Sequence, residues 1–122
     1  MKLALDNGNA SYQIQAYQAG SIKVNNQTYN SSIVIMPQLL IVPWMVESFE
    51  SLAAVHFEIL LPHKPQLVLL GTGQTSRFPH PQVFSTLIEN KIGFEIMSTP
   101  AACRTYTLLV AEGRQVAVAL LC

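Results

Sequence analysis

A chain of 122 residues is long enough to bury one hydrophobic core and too short for two ordinary domains, so a single domain spanning 1–122 is expected. Hydrophobic residues make up 50% and charged residues 11% of the chain, against about 25% charged in an average soluble domain, and 7 basic side chains balance 7 acidic ones. No cluster of Lys or Arg is present to neutralise phosphates, which excludes nucleic acid and anionic membrane surfaces as expected partners; the scarcity of charge leaves surface for a protein partner or a homodimer.

The N-terminal stretch, residues 1–8, carries one Lys and an apolar run too short for a signal peptide. The apolar runs at 33–36, 39–42 and 116–122 fall short of the ~18–20 residues that span a bilayer, so a cytoplasmic chain without a membrane span is expected. In the first third, Gln13, Gln15 and Gln18 interleave with Ile14, Ala16 and Tyr17 in an imperfect period of two. Ala19-Gly20-Ser21 and Asn25-Asn26 supply turns, which predicts two short hairpin arms. Residues 31–36 form a more buried strand stopped by Pro37, and residues 39–42 another ended by Pro43.

Ser48 or Ser51 can cap a helix running to about Leu61, with Leu52, Val55 and Ile59 on one stripe. A regular alternation then begins. Strand 67–70 leads through a Gly/Pro-rich loop, 71–81, into a helix over 82–91 with Val83, Phe84, Leu87 and Ile88 on its apolar face. Gly93 ends that helix and residues 94–97 form the next strand. Thr99-Pro100 starts a helix, Thr as cap and Pro in the first turn, that runs to Glu112 and is closed by Gly113. Residues 115–121 are the last strand. This order predicts an α/β fold with two right-handed crossovers and three mostly parallel strands.

In such sheets ligands bind beyond the carboxyl ends of the parallel strands, where helix N-termini point their free amides. Two loops qualify: Gly71-Thr72-Gly73 with Arg77, and Ser98-Thr99-Pro100-Ala101 leading to Cys103-Arg104. Both arginines beside helix starts favour a small anionic ligand, a carboxylate or phosphate. Each feature also has a structural explanation. Gly71-Thr72-Gly73 lacks the Gly-Lys-Ser/Thr of a P-loop and the third Gly of a dinucleotide fingerprint, and a plain strand-to-loop turn is the favoured reading over a phosphate loop. Arg104 opposes the helix dipole and could be clamped by Glu47, Glu95 or loop carbonyls.

Cys103 beside Arg104 has the surroundings of an activated thiol, yet it lies on the apolar stripe Ala102, Cys103, Tyr106, Leu109, Val110, where a free Cys is a small hydrophobe. Cys103 and Cys122 are too few for a disulfide framework or a zinc site, and the scattered His56, His63 and His80 form no ligand set; neither a metal nor a cofactor is expected. Trp44 reads as a core or interface anchor, and Glu47, Glu50 and Glu58 as a solvated flank. No catalytic residue is assigned.

Taken in order, Leu67-Val68-Leu69-Leu70-Gly71-Thr72-Gly73, Arg77-Phe78-Pro79, Gly93-Phe94-Glu95-Ile96-Met97, Ala101-Ala102-Cys103-Arg104-Thr105-Tyr106 and Glu112-Gly113-Arg114 resemble one family across essentially the whole chain. It is the uncharacterised-domain family that includes mitochondrial NADH:ubiquinone oxidoreductase assembly factor 3 and small bacterial and archaeal proteins. The resemblance implies a three-layer fold: a central mixed, mostly parallel sheet of about five strands, helices packed on it, and an additional small N-terminal β element. It also implies a groove lined by Gly71, Thr72, Gly73, Cys103, Arg104 and Tyr106. The function it implies is a binding or assembly accessory, non-enzymatic, linked to a respiratory or membrane complex; a small-molecule anion binder or enzyme at the same loops is the alternative.

Overall fold

The structure, a computed structural model, describes residues 12–122; the apolar N-terminal stretch weighed above lies outside them. Strands β1 (Ile14–Gln18), β2 (Ser21–Val24) and β3 (Gln27–Tyr29) make a three-stranded antiparallel sheet in that order. Its second turn depends on Asn25 and Asn26, both at positive φ, which Asn tolerates better than most side chains. The Asn25 side-chain carbonyl accepts the Gln13 amide at 2.8 Å and the Asn26 amide donates to the Gln15 side chain at 2.8 Å, so the turn is tied to β1 as well as to β2.

A second sheet holds β4 (Ile33–Met36), β5 (Leu39–Ile41), β6 (Leu67–Gly71), β7 (Gly93–Met97) and β8 (Val116–Leu120) in the spatial order β5-β4-β8-β6-β7. It is mixed: β8, β6 and β7 are mutually parallel, while β4 runs antiparallel to both β8 and β5. From β6 the chain moves outward to β7, then back over β6 to β8. Crossovers of one hand that run in opposite directions need their helices on opposite faces of the sheet. That is what is found: α1 (Ser85–Glu89) contributes Leu87 to one core, and α2 (Thr99–Ala111) contributes Ala102, Cys103 and Tyr106 to the other.

Strand alternation divides the two cores. Val34, Val68, Leu70, Ala117 and Ala119 face the α1 side, where Trp44, Phe57, Phe84 and Phe94 pack ring against ring. Ile33, Ile35, Leu69, Val116, Val118 and Leu120 face α2, together with Ile22 and Val24 from the small sheet, giving three layers in all.

Three sequence expectations change. The helix expected from 48 to 61 is a pair of 3-10 segments, Phe49–Ser51 and Ala54–His63. At 3.0 residues per turn the inward positions recur every third residue, so Phe57 and Leu60 are buried while Val55 and Ile59 face outward at 57% and 40% exposure. The helix expected over 82–91 is a 3-10 turn, Pro81–Phe84, continuing into the short α1, and Ile88 is exposed. Finally, α2 is capped by Ser98, whose hydroxyl accepts the Ala101 amide at 3.3 Å; Thr99 is the first helical residue and is fully buried.

Candidate functional site

Because β6, β7 and β8 are parallel, the segments that follow them emerge on one edge of the sheet. The Thr72 hydroxyl organises the first of these loops, donating to the Thr75 carbonyl at 2.7 Å and accepting the Arg77 amide at 3.0 Å. Thr99 seams it to the start of α2. Its amide donates to the Gly73 carbonyl at 2.7 Å, and its hydroxyl accepts the Gly73 amide and donates to the Leu121 carbonyl, both at 2.8 Å. At Gly71 a Cβ would stand 2.9 Å from the Thr99 Cα, Thr99 Oγ1 and Leu120 Cδ2, so only glycine lets the two segments approach this closely. Gly71, Thr72, Gly73 and Thr99 are thus brought together, as a closed joint.

Beside this joint a groove of about 850 Å³ opens between residues 30–32, the segment 43–50, the loop 72–77 and residues 121–122. One wall is held rigid by Trp44: its ring is buried, its Nε1–H donates to the His56 carbonyl at 3.0 Å, and its amide donates to the Ser32 carbonyl at 2.7 Å. Arg77 reaches across to Glu50 at 3.4 Å and places its guanidinium 4.0 Å over the Phe49 ring, with the two charged side chains 48% and 75% exposed. Glu47 lines the same groove and has no charged or hydrogen-bonding partner among the described residues. Met45, also lining it, is 75% exposed.

Cys103 and Arg104 lie elsewhere, in a separate hollow of about 410 Å³ against residues 14–17 of β1. Burial pushes the Cys103 thiol up to about 11, the neighbouring Arg104 opposing this only in part, so the thiol is not an activated nucleophile. Arg104 is exposed, with no carboxylate partner among the described residues. Tyr106 is buried in the α2-side core and borders a third hollow of about 690 Å³ at the opposite edge of the sheet, beside Pro37 and Gln115. Burial raises its phenol, and among the described residues neither its hydroxyl nor that of Tyr17 has a hydrogen-bond partner.

The eight expected residues therefore divide among the joint, the large groove and two other hollows. Arg77 lines the 850 Å³ groove and Arg104 the 410 Å³ hollow. Sequence reasoning missed Ser31, Ser32, Met45 and Glu47 as groove residues and the Arg77–Glu50–Phe49 bridge. The only signals were the polar run Asn30-Ser31-Ser32 and the Pro43 that redirects the chain after β5. Among the described residues no three His, Cys, Asp or Glu side chains gather as metal ligands, and no helix is long and apolar enough to cross a membrane.

A family model described as "Protein of unknown function (DUF498/DUF598)" matches residues 14–121. The chain is 30% identical over 110 residues to the Rattus norvegicus NADH dehydrogenase [ubiquinone] 1 alpha subcomplex assembly factor 3, covering 88% of this chain and 59% of that protein. It thus spans less than two thirds of the length of that relative. It is 27% identical over 101 residues to a "13 kDa major membrane protein" of Francisella tularensis subsp. holarctica, with 82% of each chain covered. Among solved structures, a Bordetella parapertussis protein is similar at 33% identity and a TM-score of 0.85, covering 94% of this chain and 98% of that one. A Xanthomonas campestris protein follows at 35% and 0.82, covering 95% and 88%.

Proposed function

The chain belongs to the DUF498/DUF598 family, and from that premise we propose that it is a non-enzymatic accessory in the assembly of a membrane-bound respiratory complex, holding a partner protein at the groove beside Arg77. The observation that carries this reading is the 30% identity to an assembly factor over 88% of the chain, while the family model, over residues 14–121, spans the whole central sheet. The chemistry of the groove agrees with binding: its titratable groups are Glu47, Glu50, Arg77 and Cys122, and the one close pair among them is an ion pair. The relative named as a membrane protein accords with residence at a membrane through a partner. Free thiols at Cys103 and Cys122 accord with the cytoplasmic side.

Deleting the gene and resolving native membranes on a non-denaturing gel tests the reading. Loss of assembled NADH dehydrogenase with accumulation of free subunits is expected; an unchanged pattern of assembled complexes sinks it. The alternative of a small-anion site keeps one favourable observation, the exposed Arg104 lining the 410 Å³ hollow with no carboxylate partner among the described residues. Thermal melts with carboxylates and phosphates, repeated on Arg104→Ala, test it, a parent protein that shifts with none of them being the adverse result. The exposed Val55, Ile59 and Ile88 support a homodimer as a further arrangement, read by light scattering.

A further inference from the structure

We propose that the groove beside Arg77 receives an extended cationic segment of its partner, one that presents a lysine or arginine next to an apolar side chain. This rests on the partner-docking reading above and names the chemistry of the partner. The groove carries two carboxylates, Glu47 and Glu50, against one arginine, and among the described residues the carboxylate that Arg77 engages is Glu50. Glu47 is left exposed, with no ion-pair or hydrogen-bond partner among the described residues.

The existing ion pair is exchangeable. Both its side chains are well exposed, a setting in which such pairs contribute little, and Arg77 keeps its stacking contact with Phe49 whichever cation occupies Glu50. Beside the carboxylates, Met45 presents a flexible thioether chain that is 75% exposed and suited to packing against varied apolar groups. The wall behind it is already organised, since Trp44 is pinned through both its ring nitrogen and its backbone amide, so little ordering is needed on binding.

At about 850 Å³ the groove falls in the range of sites that take drug-sized ligands, which suits a few residues of extended chain. An anionic lipid surface or an acidic peptide would be repelled by the same two carboxylates. Charge here selects the partner, while Met45 supplies apolar contact.

The test uses the full chain and fluorescein-labelled hexapeptides of alternating leucine and lysine, leucine and glutamine, or leucine and glutamate, read by fluorescence polarisation. The lysine peptide binds best, its affinity falls as salt rises, and Glu47→Gln and Glu50→Gln each weaken it about two- to fivefold. Met45→Ser weakens the lysine and glutamine peptides alike. These exposed positions leave the thermal melt near that of the parent, which is checked first. Equal binding of the three peptides, indifference of the lysine peptide to both glutamine substitutions, or retention on phosphatidylserine vesicles in place of peptides would each overturn the proposal. A gel-assembly defect together with indifferent peptides removes only the cationic segment; an intact assembly pattern removes the reading beneath it.

Discussion

Replacing Thr99 by Val removes a hydroxyl and adds a methyl of nearly the same volume, so no cavity or clash forms at this fully buried residue. Two hydrogen bonds of 2.8 Å disappear, one from the Gly73 amide and one to the Leu121 carbonyl. The carbonyl has no other partner among the described residues and loses about 1–3 kcal/mol as an unsatisfied buried group, the half-buried amide somewhat less, and the added methyl offsets part of this. A net loss of about 2–3 kcal/mol follows. At a urea dependence of about 1–3 kcal/mol per molar, the unfolding midpoint drops by about 1–2 M, and the melting temperature by about 10 °C. Thr99→Ser is the control, because it keeps both bonds and loses one methyl, at about 1 kcal/mol. Urea titrations followed by far-ultraviolet circular dichroism give both midpoints. If the Val variant unfolds at the same urea concentration as the Ser variant, or later, the seam between loop and helix is not held by this hydroxyl.

Gly71→Ala forces a Cβ to within 2.9 Å of the Thr99 backbone and should cost about 1–3 kcal/mol by overpacking, seen as a lower melting temperature; an unchanged melt contradicts the close approach. Tyr106→Phe deletes a buried hydroxyl that has no partner among the described residues, so stability should hold or rise by up to about 1 kcal/mol, and a clear loss in the same urea assay would reveal a partner for it. Burial raises the Cys103 thiol to about 11 from 9.0, so iodoacetamide labelling followed by mass spectrometry should be slow at pH 8 and accelerate toward pH 11; half-maximal labelling near pH 8 refutes this. The same shift fixes the sign of the pH dependence. The folded thiol holds its proton more tightly than the unfolded one, so its contribution is fully present below pH 9 and is lost as pH rises to about 11, with Tyr17, Tyr106 and Cys122 acting in the same direction. Cys103→Ala should flatten that alkaline decline.

The strand–helix–strand order from 67 to 121 was legible because its segments carry their own periods and stops, Gly113 at positive φ among them; Gly93, expected to end a helix, instead opens β7, and the left-handed residue after α1 is Lys91. Residues 48–63 were not, since a 3-10 path is selected by tertiary packing of Phe57 and Leu60 rather than by local pattern, and a helical stripe through Val55 and Ile59 fits the same letters. Thr99 was recognised as special for the wrong reason. Its cap function belongs to Ser98, and the bonds that matter join it to Gly73 and Leu121, 26 and 22 residues away. The groove was illegible for the same reason of distance: Arg77 meets Glu50 across 27 residues, and no local motif announces that encounter.

All five residues of β8 are fully inaccessible, lying between β4 and β6 with a separate core on each face. A change of volume at Val118 meets first the side chains packed beneath α2, and one at Ala117 or Ala119 those of the other core, on the far side. The strand therefore works as a party wall, transmitting backbone position between two rooms while keeping their furnishings independent. Descendants of such a scaffold are free to remodel the chamber bordering the groove without disturbing its neighbour.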